Sequence, residues 1–270
     1  MKNAIGFAIS VIGYSHILKN KPCQDYSCYY SDSRVSVGIV CDGHGGDKHF
    51  RSATGARIAT NIVCDAAVIF AKSVSKDMVF AERLKKLREL EKNIIYTWQI
   101  KVKEDLTQFP FTDDEINGLS EREKKQLTKN AFLAYGTTLL CVIKVKEYCY
   151  LLKLGDGNIV CFSDERMFEP IEKDRRLNFN YTTSLCAEDA FDCMQNAVMK
   201  SEGIKAFILS SDGVYNSFDS REKYYNFLNQ IYSNREDKDI LQETTEFLPI
   251  LSKNGSGDDV SICLLQVSAI

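Results

Sequence analysis

Between residues 4 and 41 the apolar positions follow a β rhythm. Three strands are predicted there, in "AIGFAISVIGYS", "DYSCYYS" and "RVSVGIVC", the last alternating at first and then continuously apolar. After Gly45-Gly46 the period lengthens. Residues 47–70 and 77–106 repeat apolar positions at helical spacing, and Val79, Leu84, Leu87, Leu90, Ile94 and Ile95 are expected to form one stripe. Residues 107–130 are the most polar stretch and read as a short helix plus loop. Ser120, with Glu123 three residues later, has the spacing of a capping box. Strands return in "GTTLLCVIKV", "YCYLLKLG" and "NIVCFS". Residues 164–204 are irregular and polar, with helix-compatible patches. "IKAFILSS" is a further strand, two helical segments fill 220–250, and "DDVSICLLQV" closes the chain.

Long helices thus stand between groups of closely spaced strands, and a parallel βαβ rhythm is missing. Antiparallel sheets with helices packed outside them are expected, an α+β arrangement. Composition changes this picture little. A chain of 270 residues fits one large domain or two small ones, with length enough for a substantial core, and 44% hydrophobic with 26% charged residues is ordinary for a soluble globular protein. A net charge of -3 offers no footprint for nucleic acid or an anionic membrane. No apolar stretch approaches a membrane span, and "MKNAIGFAISVIGYSH" lacks a cleavage site after a proper apolar core, so the chain reads as cytoplasmic. Ten cysteines contain no C-x-x-C pair. Cys41, Cys141, Cys149, Cys161 and Cys263 fall inside apolar runs and read as small buried hydrophobes, not as a zinc site.

The candidate chemistry lies where strands stop. Three apolar runs end on Asp-Gly pairs, at Asp42-Gly43, Asp156-Gly157 and Asp212-Gly213. A tight hairpin turn explains such a pair equally well for Asp156, which is flanked by two β runs. It suits Asp42 and Asp212 less, because no second strand follows directly. Aspartates at strand ends can line a cleft with oxygen, a setting suited to magnesium or manganese. Asp25 in "PCQDYS" and Asp258 in "GSGDDVS" stand where they can join them. Two hard cations close together can share a carboxylate and activate water against phosphorus. Glycine beside Asp42 lets the backbone approach a metal, which makes the Gly43 carbonyl a candidate ligand. His44 reads either as an acid near neutral pH or as a loop histidine bonded to backbone.

Six stretches, in order and spanning nearly the whole chain, resemble the metal-dependent PPM-type serine/threonine phosphatases, the type 2C family. They are "CQDYS", "VCDGHGG", "YGTTLLCVI", "LLKLGDGNIVCF", "FILSSDGVYNSF" and "GSGDDVSICLL". The resemblance implies a sandwich of two antiparallel β-sheets flanked by α-helices, one PPM-type domain over 1–270, and a binuclear Mn2+ or Mg2+ centre at one edge. It implies hydrolysis of phosphoserine and phosphothreonine in proteins, while net charge and the apolar pattern leave no expectation of a nucleic acid or membrane partner. By position Asp42 looks like the bridging carboxylate and Gly43 like the carbonyl ligand. Asp212 and Asp258 resemble the remaining ligands of the first ion, with Asp259 in place of the family's asparagine. Asp25 resembles the acidic residue near the second ion, and Asp156 the aspartate tied to a third, weaker ion in some members. Residues 164–204 lie where the family has a variable flap, and Asp174 there aligns only loosely.

Two departures stand out. Many members carry an arginine ahead of the N-terminal motif to grip the substrate phosphate, but no arginine precedes Arg34 here. Lys19 is the leading substitute, with His16 and Lys21 behind it, and a solvated turn lysine is the alternative reading of Lys19. Gln24 stands where some members have a second carboxylate. Two rival readings follow. Cys28 and Arg34 have the C-x5-R spacing of a cysteine-nucleophile phosphatase, but "YYSDS" between them lacks glycine and holds an anion-repelling Asp32. A catalytically weak or inactive pseudophosphatase that binds phosphoproteins would share the fold.

Overall fold

A computed structural model describes residues 6–172 and 182–267, so Asp174 lies outside the described residues. The strands are β1 (Phe7–Val11), β2 (Tyr26–Ser31), β3 (Val35–Cys41), β4 (Leu139–Val145), β5 (Tyr148–Leu154), β6 (Asn158–Ser163), β7 (Met167–Phe168), β8 (Gln195–Lys200), β9 (Ile204–Ser210) and β10 (Val260–Gln266). They form two five-stranded sheets, ordered β1-β10-β9-β6-β7 and β2-β3-β4-β5-β8, with every pairing antiparallel. The helices are α1 (Tyr14–Leu18), α2 (Ser52–Ser73), α3 (Phe80–Gln108), α4 (Asp113–Asn117), α5 (Glu121–Lys129), α6 (Ala190–Cys193), α7 (Asp212–Tyr215), α8 (Arg221–Ser233) and α9 (Ile240–Asn254).

Three apolar layers explain the continuous hydrophobic runs. Val40, Leu140, Val142 and Leu151 of the second sheet meet Phe207, Leu209, Cys263 and Leu265 of the first in a layer between the sheets. Ile39, Cys41, Cys141 and Ile143 point the other way, onto Ala56, Ala59, Val63 and Trp98 of α2 and α3. Ile208, Ile262 and Leu264 pack under Tyr224, Leu228 and Leu248 of α8 and α9. Central strands are therefore buried on both faces, and each buried Val, Leu or Ile contributes about 1.5–3 kcal/mol. The five strand cysteines are buried and free, as expected.

The elements depart from the sequence reading in several places, including α1, which begins at Tyr14 inside the predicted first strand. Val79 caps α3 and is exposed, so it leaves the predicted stripe. Arg83 is buried instead, with its guanidinium 3.8 Å over the Tyr148 ring and Nη1 donating to the Tyr150 hydroxyl at 2.8 Å. Residues 107–130 make two short helices, not one. Both carry capping boxes, Thr112 with Glu115 and the expected Ser120 with Glu123, and Glu115 also receives both prongs of Arg51 at 2.7 and 2.8 Å. The strand β8 was not anticipated inside the irregular segment, because "QNAVMK" is polar and only partly buried at a sheet edge. Finally, α2 is long and apolar enough to cross a membrane by composition, contrary to expectation. Its apolar face is used in packing against the second sheet.

Candidate active site

Strand register brings the carboxylates to one edge. Tyr26 pairs with Cys41, so Asp25 and Asp42 each stand one residue beyond that pair on neighbouring strands. Ser210 pairs with Ile262 on one side and Asn158 on the other. Asp212 lies two residues past Ser210, Asp156 two before Asn158, and Asp258 two before Val260. The Asp156-Gly157 pair is not a hairpin, because β5 and β6 belong to different sheets and the chain crosses between them here. Gly155 makes that crossing with a φ of +111°, where a Cβ would also strike Thr138.

Asp42 is held by the "GTT" stretch. Its N–H donates to Thr138 Oγ1 at 3.0 Å, and its carbonyl accepts from Thr138 N at 2.8 Å and Thr137 Oγ1 at 3.0 Å. Gly43 continues the contact as an antiparallel bridge to Thr137. These threonines are positioning groups that the motif contained without revealing their task.

The carboxylates shift one another strongly. Burial first, then the charges of Asp25 and Asp212, push the Asp42 carboxyl well above its usual range. Asp42 and Asp212 also share a hydrogen bond, which raises the first and lowers the second. Asp212 is pushed up to about 6 by burial and then by Asp156 and Asp258. Asp25 is raised by burial and by Asp259, and the Ser261 and Ser211 hydroxyls offset part of that. Its Oδ2 is buried without a hydrogen-bond partner among the described residues, which costs about 1–3 kcal/mol unless something else satisfies it. Apart from the Asp42–Asp212 hydrogen bond, the side chains influence one another through charge. Among the described residues, no group of three or more His, Cys, Asp or Glu is gathered as a metal cage. Mutual charge acts over longer distances than coordination. An all-oxygen set with like-charge repulsion and an orphaned buried oxygen fits a hard divalent cation.

Two sequence-predicted residues are placed differently from expectation. His44 packs around Gly136 together with His49 and Cys186, with the two imidazole centroids 4.9 Å apart. Burial, His49 and Lys48 push His44 down to about 3, and no carboxylate contributes. That shift opposes the expected role of an acid near neutral pH. His16 is not available for substrate phosphate. It is buried, with Nδ1 3.0 Å from Asp259 Oδ1 and Nε2 4.0 Å from Asp258 Oδ1. Lys19 is exposed at the end of α1, and Lys21 lies 3.9 Å from Asp47 beside the glycine pair. The C-x5-R stretch is no anion loop either. Cys28 sits within β2 opposite Ile39, and Arg34 faces Asp32 at 3.9 Å.

Comparison with known proteins decides the family. A family model described as protein phosphatase 2C matches residues 12–249. The chain belongs to the protein phosphatase 2C family. It is accordingly a phosphatase, of a family whose activity is metal-dependent. Solved structures share the 2C fold at low identity. A bacterial serine phosphatase is 12% identical with a TM-score of 0.64, over 99% of each chain. Stp1 from Staphylococcus aureus is 13% identical with a TM-score of 0.61, over 98% of this chain and 95% of the other. The catalytic domain of PstP, solved with two manganese ions, is 14% identical with a TM-score of 0.57, over 98% of each chain. No curated protein sequence matches the chain.

Proposed function

We propose that this 2C phosphatase hydrolyses phosphoserine and phosphothreonine in proteins at a binuclear Mn2+ or Mg2+ centre. The observation that carries the reading is that strand ends of both sheets present Asp25, Asp42, Asp156, Asp212 and Asp258 within reach of one another's charge, where burial and that charge raise the carboxyls of Asp25, Asp42 and Asp212. When bound, such cations make water a better nucleophile and neutralise charge on the phosphoryl oxygens. Asp42 is the bridging ligand in this reading, with the Gly43 carbonyl beside it. Asp212 and Asp258 complete one ion's set, Asp25 serves the other, and Asp156 serves a weaker third. Thr137 and Thr138 hold the Asp42 backbone so that its carboxylate stays aimed at the centre. His44 is not assigned the acid's role.

The deciding experiment is hydrolysis of a phosphoserine and phosphothreonine peptide panel with Mn2+ and with EDTA. Mn2+-dependent release of phosphate supports the reading, and its absence with both peptides and a generic aryl phosphate favours the pseudophosphatase.

Lys19 is the proposed phosphate contact, now that His16 is committed elsewhere. An ammonium is a point charge, where arginine offers a two-pronged donor, so phosphate is held loosely. Lys19→Ala is expected to raise KM several-fold with little change in kcat, and Lys19→Arg to keep or improve KM, by steady-state kinetics at saturating Mn2+. Unchanged constants in Lys19→Ala would move the role to Lys21.

Thiol chemistry is expected to be irrelevant. The Cys64 thiol beside Cys28 lowers its pKa, and burial opposes that, but no anion-binding loop surrounds it. Cys28→Ser should keep near-normal kcat. A folded but inactive Cys28→Ser protein would restore the cysteine-nucleophile mechanism.

A further inference from the structure

We infer that His16 and Asp259 form a positioning pair that sets Asp258 and Asp25 for cation binding. The inference rests on the metal-centre reading above and assigns a task to two residues outside the proposed ligand set.

Asp259 is 3% exposed, and both of its oxygens are engaged. Oδ1 accepts from Gly13 N at 2.6 Å and faces His16 Nδ1 at 3.0 Å. Oδ2 accepts from Gln24 N at 2.5 Å. Gly13 and Gln24 are the two ends of the segment that holds α1. One carboxylate therefore pins that segment where it leaves the strand layer and where it returns. Gln24 immediately precedes Asp25, and Asp259 immediately follows Asp258, so the hub lies one bond from each of two proposed ligands.

Histidine 16 spans the two aspartates of the closing motif. Nδ1 faces Asp259, and Nε2 faces Asp258 Oδ1, which also accepts from Asp259 N at 2.9 Å. The Nδ1 contact falls short of a straight hydrogen bond, and this nitrogen has no other partner among the described residues. The closer approach of Nδ1 to Asp259 favours a ring proton there, and Nε2, 4.0 Å from Asp258 Oδ1, packs beside that carboxylate beyond hydrogen-bond distance. A rigid ring then holds the separation of the two side chains. Asp258 is 57% exposed, and without a neighbour on this side it would be free to turn into solvent.

The unpaired N–H groups at the start of α1 complete the clamp. The helix lacks a side-chain cap of its own. Tyr14 N donates to Ser252 Oγ at 3.0 Å, Ser15 N donates to Gly257 O at 2.8 Å, and Ser252 Oγ donates to Asp258 O at 2.8 Å. A side chain at Gly13 would collide with the Asp258 and Asp259 backbone, so the approach is already at contact. The family's asparagine has one acceptor oxygen, and here two backbone donors and the His16 ring converge on residue 259. Aspartate at 259 and histidine at 16 form one unit.

The test uses the full chain and two readouts, Mn2+ affinity by titration calorimetry and amide hydrogen exchange of residues 13–25 in EDTA-treated protein. His16→Leu is expected to speed exchange at Gly13 and Gln24 and to weaken Mn2+ binding about tenfold or more. His16→Asn, whose amide nitrogen can occupy the Nδ1 position, should restore affinity to within about threefold. Asp259→Asn should behave like His16→Leu, and the double variant should be no worse than either alone, because the two act as a unit. If His16→Leu does not fold, His16→Gln, which places its donor nearer the Nε2 position, is expected to show the same weakening. Wild-type protein that binds Mn2+ alongside variants that bind it equally well overturns this inference alone. Faster exchange with unchanged Mn2+ affinity also overturns it, leaving a purely structural contact. Wild-type protein that binds no Mn2+ overturns the metal reading and this inference with it.

Discussion

Asp42→Asn is expected to lower phosphopeptide turnover at least about a hundredfold in Mn2+-supplemented protein, because one substitution removes a donor shared by both ions. The same change should leave the EDTA-treated protein as stable as wild type or more so. Burial, Asp25 and Asp212 all oppose ionisation of Asp42, so an uncharged amide relieves repulsion. The sign with pH follows from the direction of the shifts. Carboxyls whose folded pKa is raised add stability that is fully present below their unfolded pKa and lost as pH rises through the folded one. For Asp212 the window runs from its model-compound value of 3.8 to about 6. The Tm of EDTA-treated wild type should therefore fall as pH rises through that window, and ionisation of Asp25 and Asp42, whose carboxyls are also raised, should act in the same direction. Asp42→Asn should fall less. Activity that persists in Asp42→Asn would remove the bridging assignment, and a wild-type Tm that climbs through this window would contradict the carboxylate repulsion.

Chelation is the second large effect. EDTA should reduce hydrolysis to background, at least about a hundredfold, and added Mn2+ or Mg2+ should restore it. A ligand that binds only the folded state stabilises it by about 2.7 kcal/mol at a hundred times its Kd. Mn2+ should consequently raise Tm most at neutral pH, where the carboxylates are ionised, and least near pH 4. A wild-type protein whose rate and Tm ignore both EDTA and Mn2+ would leave the carboxylate cluster without a cation to hold.

Much of this architecture was legible in the hydrophobic pattern. Strands buried on both faces appear as continuous apolar runs, so β3, β4, β5, β9 and β10 were readable, and the cysteines inside them were correctly taken as core. Capping at Ser120 was legible because a box uses residues three apart in sequence. Edge strand β8 was not, since one-sided burial leaves a polar composition that resembles a loop. Arg83 could not be read as buried from its neighbours in the chain. Its partners, Tyr148 and Tyr150, come from a strand far along the sequence.

The sequence by itself determined that aspartates end several strands and that the family's motifs occur in order, because both depend on residues close together in the chain. Which carboxylates share a field was decided by the tertiary structure, through the register of Tyr26 with Cys41 and of Ser210 with Ile262 and Asn158. The adjacent pair Asp258-Asp259 shows the difference most sharply. Two identical side chains, one residue apart, are equivalent in composition and nearly so in spacing. Tertiary packing leaves the first exposed and buries the second under Gly13, His16 and Gln24. A carboxylate's role depends on the donors that reach it, and those donors arrive from the opposite end of the chain.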